Sequence, residues 1–134
     1  MEHISTIEVR YAETDQMGIA HHSSYPIWFE VARTEFIKKA GISYTDVEKQ
    51  GVITPLTGLE CKYKKAAFYE DQLQIHVTLT RLTPVRLEFS YKVTREDELI
   101  ATGKTSHGMV DKDMKPVNVK KEHPEIYRMF EAVL

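Results

Sequence analysis

Cysteine is nearly absent from this chain: Cys61 is the only one among 134 residues. No intrachain disulfide can form, and a lone thiol of this kind reads as a small buried side chain compatible with a reducing compartment. Glycine is sparse and scattered, at positions 18, 41, 51, 58, 103 and 108, so no glycine-rich loop is available to cradle a phosphate. The Gly-x-Ser-x-Gly elbow of the α/β-hydrolases is missing too. Neither sign of charge is in excess: the net charge is −2 and the pI about 6.3, which argues against a dedicated nucleic-acid binder. A small local basic patch for a phosphorylated ligand stays open. No run approaches the roughly 18 apolar residues of a membrane span. The first residues carry Glu2, His3 and Glu8 instead of a basic segment followed by an apolar one, so no secretory signal is read. These absences lead to the expectation of a soluble cytoplasmic protein without membrane or nucleic-acid partners.

What is present is ordinary globular material, 42% hydrophobic and 28% charged, which excludes disordered and fibrous classes. The length suits one domain over residues 1–134, and no linker, repeat or low-complexity tract divides it. Ile7, Val9 and Tyr11 alternate with Thr6, Glu8 and Arg10, predicting a half-buried strand over residues 4–11. The polar segment 12–24 reads as a loop. Tyr25, Trp28, Phe29, Ala32, Phe36 and Ala40 then recur at three- and four-residue spacing, predicting a long helix with a broad apolar stripe. Ser23 or Ser24 is its expected N-cap, Pro26 fits its first turn, and Gly41 supplies the stop. Glu30 with Arg33 or Thr34, and Glu35 with Lys38 or Lys39, are assigned to its solvated face.

A short helical piece is expected near residues 44–50, after which the period becomes two. Leu59, Cys61 and Tyr63 alternate with Glu60, Lys62 and Lys64; Leu73, Ile75, Val77 and Leu79, and then Val85, Leu87, Phe89, Tyr91 and Val93, alternate with polar or charged residues. Residues 99–110 form a further strand with Ala101 and Gly103 on one face. Short connections at 69–71, 83–84 and 95–98 favour antiparallel hairpins. Pro116 ends the sheet, and Pro124 opens a terminal amphipathic helix carrying Ile126, Met129, Phe130 and Val133. One sheet must therefore cover one very hydrophobic helix. The economical answer is an α+β domain: a curved antiparallel sheet wrapped around that helix. Its two open edges are a liability that a dimer would remedy.

The densest group of reactive side chains, Glu13, Asp15, His21 and His22, falls in the loop just before the long helix. Unpaired amides and the positive end of the helix dipole there favour an oxyanion or a polarised carbonyl. A carboxylate at that point serves as base or nucleophile on an acyl group. Capping of loop and helix by Asp15 and the serines, with solvated histidines, is the competing account. The six histidines are dispersed and show no His-x-x-x-His pair, so no metal site is expected. Lys62, Lys64 and Lys65 with Arg81 and Arg86 are either phosphate contacts or a charged outer sheet face; alternation puts Lys62 and Lys64 on the same side.

The stretch from Val9 through Tyr25, read as Val-Arg-Tyr-Ala-Glu-Thr-Asp-Gln-Met-Gly-Ile-Ala-His-His-Ser-Ser-Tyr and followed by Trp28 to Phe36, resembles hotdog-fold acyl-CoA thioesterases. The branch is that of 4-hydroxybenzoyl-CoA thioesterase and related short-chain acyl-CoA thioesterases. The likeness continues through Tyr63, Ala66, Asp71, Leu73, Gly103 and His107 to Lys115 and Pro116. It implies the hotdog fold, a five-stranded antiparallel sheet around a long central helix, with a short C-terminal helix. It also implies a homodimer or homotetramer with active sites at the subunit interface, and hydrolysis of a short-chain or aromatic acyl-CoA without a cofactor. By resemblance Asp15 is the catalytic nucleophile or general base, the backbone amide near His22 polarises the carbonyl, His22 and Tyr25 line the site as further catalytic residues, and Gly18 binds substrate. Arg86 or the Lys62 and Lys64 pair is the expected holder of the CoA phosphates. A dehydratase or hydratase using His22 and Asp15, and a non-catalytic acyl-CoA or protein binding module, are the alternatives this scaffold allows.

Overall fold

The computed structural model describes residues 1–134. Five strands form one antiparallel sheet in the order β1-β3-β4-β5-β2: β1 (Glu2–Glu8), β2 (Leu56–Tyr63), β3 (Gln72–Thr83), β4 (Arg86–Arg95) and β5 (Glu98–Gly108). The helices are α1 (Ser24–Lys39), α2 (Tyr44–Lys49), α3 (Val119–Glu122) and α4 (Pro124–Val133). The 16-residue α1 lies against one face of the sheet, which is the expected hotdog arrangement. No helix is long and apolar enough to cross a membrane.

Alternation governs the middle of the sheet. Leu73, Ile75, Val77 and Leu79 of β3 and Leu87, Phe89, Tyr91 and Val93 of β4 are all buried. They share one core with Trp28, Phe29, Ala32 and Phe36 of α1. Phe29 stacks on Tyr91 with ring centroids 4.3 Å apart, and Phe36 meets Phe89 edge-on at 5.7 Å. Each such side chain contributes roughly 1.5–3 kcal/mol by leaving water. Ile37 joins this core from beside the predicted stripe, and α4 closes one end with Ile126 and Phe130.

Several expectations need correction. β1 stops at Glu8, and Tyr11 begins a 3₁₀ turn (Tyr11–Glu13) that leaves it 77% exposed. The chain turns there because the Glu13 carboxylate accepts the Arg10 N–H at 2.8 Å. β2 and β3 are not a hairpin: β2 pairs with β5, and residues 64–71 cross to the other side of the sheet. As an edge strand, β2 leaves Leu59 and Tyr63 about half exposed and Cys61 only partly buried.

Some polar residues of α1 also differ from their assignment. Ser23 has helical backbone angles and makes no capping bond; its hydroxyl pairs with His21 Nδ1 at 2.7 Å. Ser24 Oγ donates instead to the Glu13 carbonyl at 3.0 Å. Arg33 is turned inward, donating to the phenol oxygens of Tyr91 (3.1 Å) and Tyr44 (3.3 Å). Glu35, with Lys38 and Lys39, stays on the exposed face as assigned, although Ser5 Oγ and His3 Nε2 of β1 bond to its carboxylate. Arg33 is thus the one charged residue of α1 that leaves the exposed face, drawn in by two phenol acceptors.

Candidate active site

The loop between β1 and α1 is a small pinned hairpin. Thr14 bridges Ala20 and Ile19 bridges Phe68, while Ala20 N–H donates to the Ala67 carbonyl at 2.8 Å. At its tip the Asp15 carbonyl accepts the Gly18 N–H at 3.0 Å, and the Asp15 N–H donates to Ile19 at 2.9 Å. Gly18 sits at φ 81°, a left-handed conformation that glycine adopts without strain. Asp15 Oδ1 accepts the Met17 N–H at 2.8 Å, an Asx turn that orients the carboxylate and leaves Oδ2 uncommitted.

A cavity of about 380 Å³ brings Asp15, His22 and Tyr25 together with Lys64 and Lys65. Met17, Ile19, Ala20 and Ala66 supply its apolar wall. Gly18 lies on the other side of the Asp15 carboxylate, in an open groove with Tyr11 and Tyr69. Tyr63, read in the sequence as a strand residue within the family likeness and given no site role, enters the site twice. Its ring meets Tyr25 edge-on at 5.0 Å, and its hydroxyl donates to the His22 carbonyl at 3.1 Å. The His22 N–H finds no acceptor within the chain. Burial pushes both Tyr25 and Tyr63 up to about 12, so both phenols remain protonated donors near neutrality.

The expected lysine pair is split. β2 ends at Tyr63, and the N–H groups of Lys64 and Lys65 both donate to the Ile100 carbonyl, at 2.8 and 3.0 Å. Ile100 is the extra residue of a β-bulge in β5, so consecutive residues Ile100 and Ala101 are both buried and the neighbouring chain is diverted towards the loop. Lys64 therefore faces the cavity, whereas Lys62 lies in a separate groove with Glu60 and Lys104. Arg86, exposed at the start of β4, lines neither. Lys65 is bound to Glu98 at 2.8 Å, leaving Lys64 as the cavity's cation without a carboxylate partner.

A larger cavity of about 470 Å³, between α1, α2 and the start of β2, holds Arg33, Tyr44 and Thr54 but none of the loop residues. Behind it runs a directed chain of hydrogen bonds. Arg33 donates to Tyr91 OH (3.1 Å), Tyr91 to Thr105 Oγ1 (2.6 Å), and Thr105 to His107 Nε2 (2.9 Å). His107 Nδ1 donates to the Thr54 carbonyl at 3.2 Å, which assigns the acceptor role to Nε2. Burial, with the nearby Arg33 charge, lowers His107 to about 4, so the ring is neutral. This chain of hydrogen bonds satisfies polar groups inside the core, and Asp15 lies instead at the smaller cavity of about 380 Å³. No three His, Cys, Asp or Glu side chains converge as a metal-holding group.

Comparison with known proteins agrees with this fold. The family model described as "Thioesterase-like superfamily" matches residues 9–129. A Bacillus subtilis (strain 168) protein named "Putative acyl-CoA thioesterase YneP" is 38% identical over 127 residues, covering 93% of this chain and 92% of that protein. The solved structure of a DHNA-CoA thioesterase from Staphylococcus aureus superposes with a TM-score of 0.94 at 37% identity, covering 98% of this chain and 90% of that one. Hypothetical protein TT1821 of Thermus thermophilus does so with a TM-score of 0.92 at 35% identity, over 100% and 98% of the two chains.

Proposed function

The chain belongs to the thioesterase-like superfamily, and from that premise we propose that it is an acyl-CoA thioesterase whose catalytic carboxylate is Asp15. The observation that carries this reading is the condition of the two groups that would meet a thioester in one cavity. Asp15 keeps one oxygen free while its other is held by Met17, and the His22 amide has no partner in the chain.

In this reading the substrate carbonyl oxygen accepts the His22 N–H at the positive end of α1. Negative charge growing on that oxygen in the transition state is met by a donor already in place. Asp15 attacks the carbonyl carbon, expelling CoA thiolate and leaving an acyl-aspartyl anhydride that water opens. Alternatively it takes a proton from water whose oxygen attacks. Both routes consume one water and give a carboxylic acid and CoA thiol. The Tyr25 and Tyr63 rings make a wall suited to a flat aromatic or short acyl group, and Lys64, a cavity cation without a carboxylate partner, is the contact we propose for a CoA phosphate. The unpaired β2 edge leaves Leu56, Leu59 and Tyr63 about half exposed, and a second copy of the chain is the cover we propose for it.

The test compares wild type with Asp15→Asn on acetyl-, short-chain, long-chain, benzoyl- and DHNA-CoA, following free thiol. The expected result is a loss of about a thousandfold or more in turnover with an unchanged melting temperature. A variant retaining more than a tenth of wild-type turnover removes Asp15 from the chemistry. Hydration of an enoyl-CoA without thiol release would favour the hydratase class instead.

A further inference from the structure

The buried carboxylate two residues before Asp15 takes no part in the steps above, yet it is the most heavily connected group of the loop. Glu13 is only 7% exposed. Its Oε2 accepts from Trp28 Nε1 at 2.8 Å and from Arg10 Nη2 at 3.3 Å, and its Oε1 accepts from the Arg10 N–H at 2.8 Å. Its carbonyl accepts from the His21 N–H at 2.7 Å and from Ser24 Oγ at 3.0 Å.

These donors come from three places: the turn just after the first strand, the returning arm of the loop, and the first turns of α1. Ser24 and Trp28 are four residues apart, so they lie one above the other on a single helix face and grip Glu13 from the same side. Asp15 follows Glu13 by two residues. His22 lies between His21 and Ser24, both of which are tied to the Glu13 carbonyl. One residue thus connects the stretch that carries the carboxylate to the stretch that carries the amide.

We propose that Glu13 is a positioning residue of this active site, setting the placement of the Asp15 carboxylate relative to the His22 amide by anchoring both arms of the loop to α1. The inference rests on the assignment of Asp15 as the catalytic carboxylate. A neutral side chain of the same size does not replace it. Glutamine offers one acceptor oxygen where two are used, and it turns an NH2 group towards the N–H of Trp28 or Arg10. The buried Trp28 N–H would lose its acceptor or force the loop to shift. A displacement of about 1 Å at reacting groups costs on the order of a hundredfold in rate.

Glu13→Gln, Trp28→Phe and the double variant are compared with wild type, measuring kcat and KM for a CoA ester well below each melting temperature. Glu13→Gln is expected to lower kcat ten- to a hundredfold with KM within threefold of wild type. The double variant, from which the orphaned indole donor has been removed, is expected to recover at least threefold in kcat over Glu13→Gln. That recovery separates positioning from a general loss of stability, which Trp28→Phe would deepen. Should Glu13→Gln not fold, Trp28→Phe alone decides: a three- to tenfold lower kcat at unchanged KM supports the proposal, and wild-type kcat overturns it. Glu13→Gln with kcat within twofold of wild type also overturns it, even where Asp15→Asn is inactive. An active Asp15→Asn enzyme would instead remove the premise.

Discussion

The ring of Phe29 lies directly over the backbone of Gly103. A Cβ on Gly103 would fall 2.4 Å from both Cε2 and Cζ of that ring and 3.3 Å from the Glu60 carbonyl. The central helix reaches the sheet this closely because β5 has no side chain at the crossing. Phe29 is fully buried and stacked on Tyr91, so its ring has nowhere to retreat.

Gly103→Ala is therefore expected to destabilise the protein by roughly 1–3 kcal/mol, the usual range for overpacking a filled core. The readout is a melting temperature lower by several degrees in a thermal scan. Adding Phe29→Leu to Gly103→Ala should return part of that loss, since the shorter side chain vacates the space the new methyl needs. An unchanged melting temperature in Gly103→Ala would mean that α1 is free to move away from β5.

His107 gives the protein a specific acid sensitivity. It is 2% exposed, and its ring faces Thr105 and the Thr54 carbonyl, with Tyr91 and the Arg33 guanidinium beyond. Burial first, and then Arg33, depress its folded value to about 4 from the ordinary 6.5. Below 6.5 the unfolded chain takes up a proton that the folded one refuses. The stabilisation is thus complete above pH 6.5 and is lost as pH falls towards 4, by roughly 3 kcal/mol in all. Protonating Nε2 would also reverse the donor order back to a guanidinium that cannot accept. Urea titrations at pH 7 and pH 5 should show a clear fall in wild-type stability, with a smaller difference for His107→Gln. An equal difference in both proteins would assign the sensitivity to other groups.

How much of this was legible in the sequence follows from what each signal encodes. Period-two alternation names the buried face of a strand, and it did so for Leu73 to Leu79 and Leu87 to Val93 because both strands lie beneath α1. It carries no information on which strand sits beside which, so β2 was joined to β3 across a short connection when it pairs with β5. Arg33 reads as a surface residue by type, and only the phenols of Tyr44 and Tyr91, distant in sequence, bring it inside. In the loop the motif placed Asp15, His22 and Tyr25 together. The separation of Lys64 from Lys62 depends instead on a bulge at Ile100, more than thirty residues away, which no local spacing announces.

The division of labour between the two cavity lysines gives the last prediction. Lys65 Nζ lies 2.8 Å from the Glu98 carboxylate, which also pairs with Arg95, so its charge is already matched. Lys64 has no such partner and lines the same cavity. If CoA phosphates pass this point, reversing the charge at Lys64 replaces an attraction with a repulsion at a solvent-exposed position, where a contact is worth on the order of 1 kcal/mol. Lys64→Glu is therefore expected to raise KM for an acyl-CoA roughly tenfold while kcat changes little. The same variant should handle the corresponding N-acetylcysteamine thioester, which carries no phosphate, as wild type does. Salt offers a second check, because screening shortens to about 3 Å at 1 M ionic strength and should narrow the difference between wild type and variant. Lys65→Ala should raise KM less than Lys64→Glu, since Glu98 already neutralises that side chain. An equal KM increase on both thioesters would place Lys64 against the acyl or pantetheine portion and return the phosphate contact to Lys62 or Arg86 of the same or a second copy.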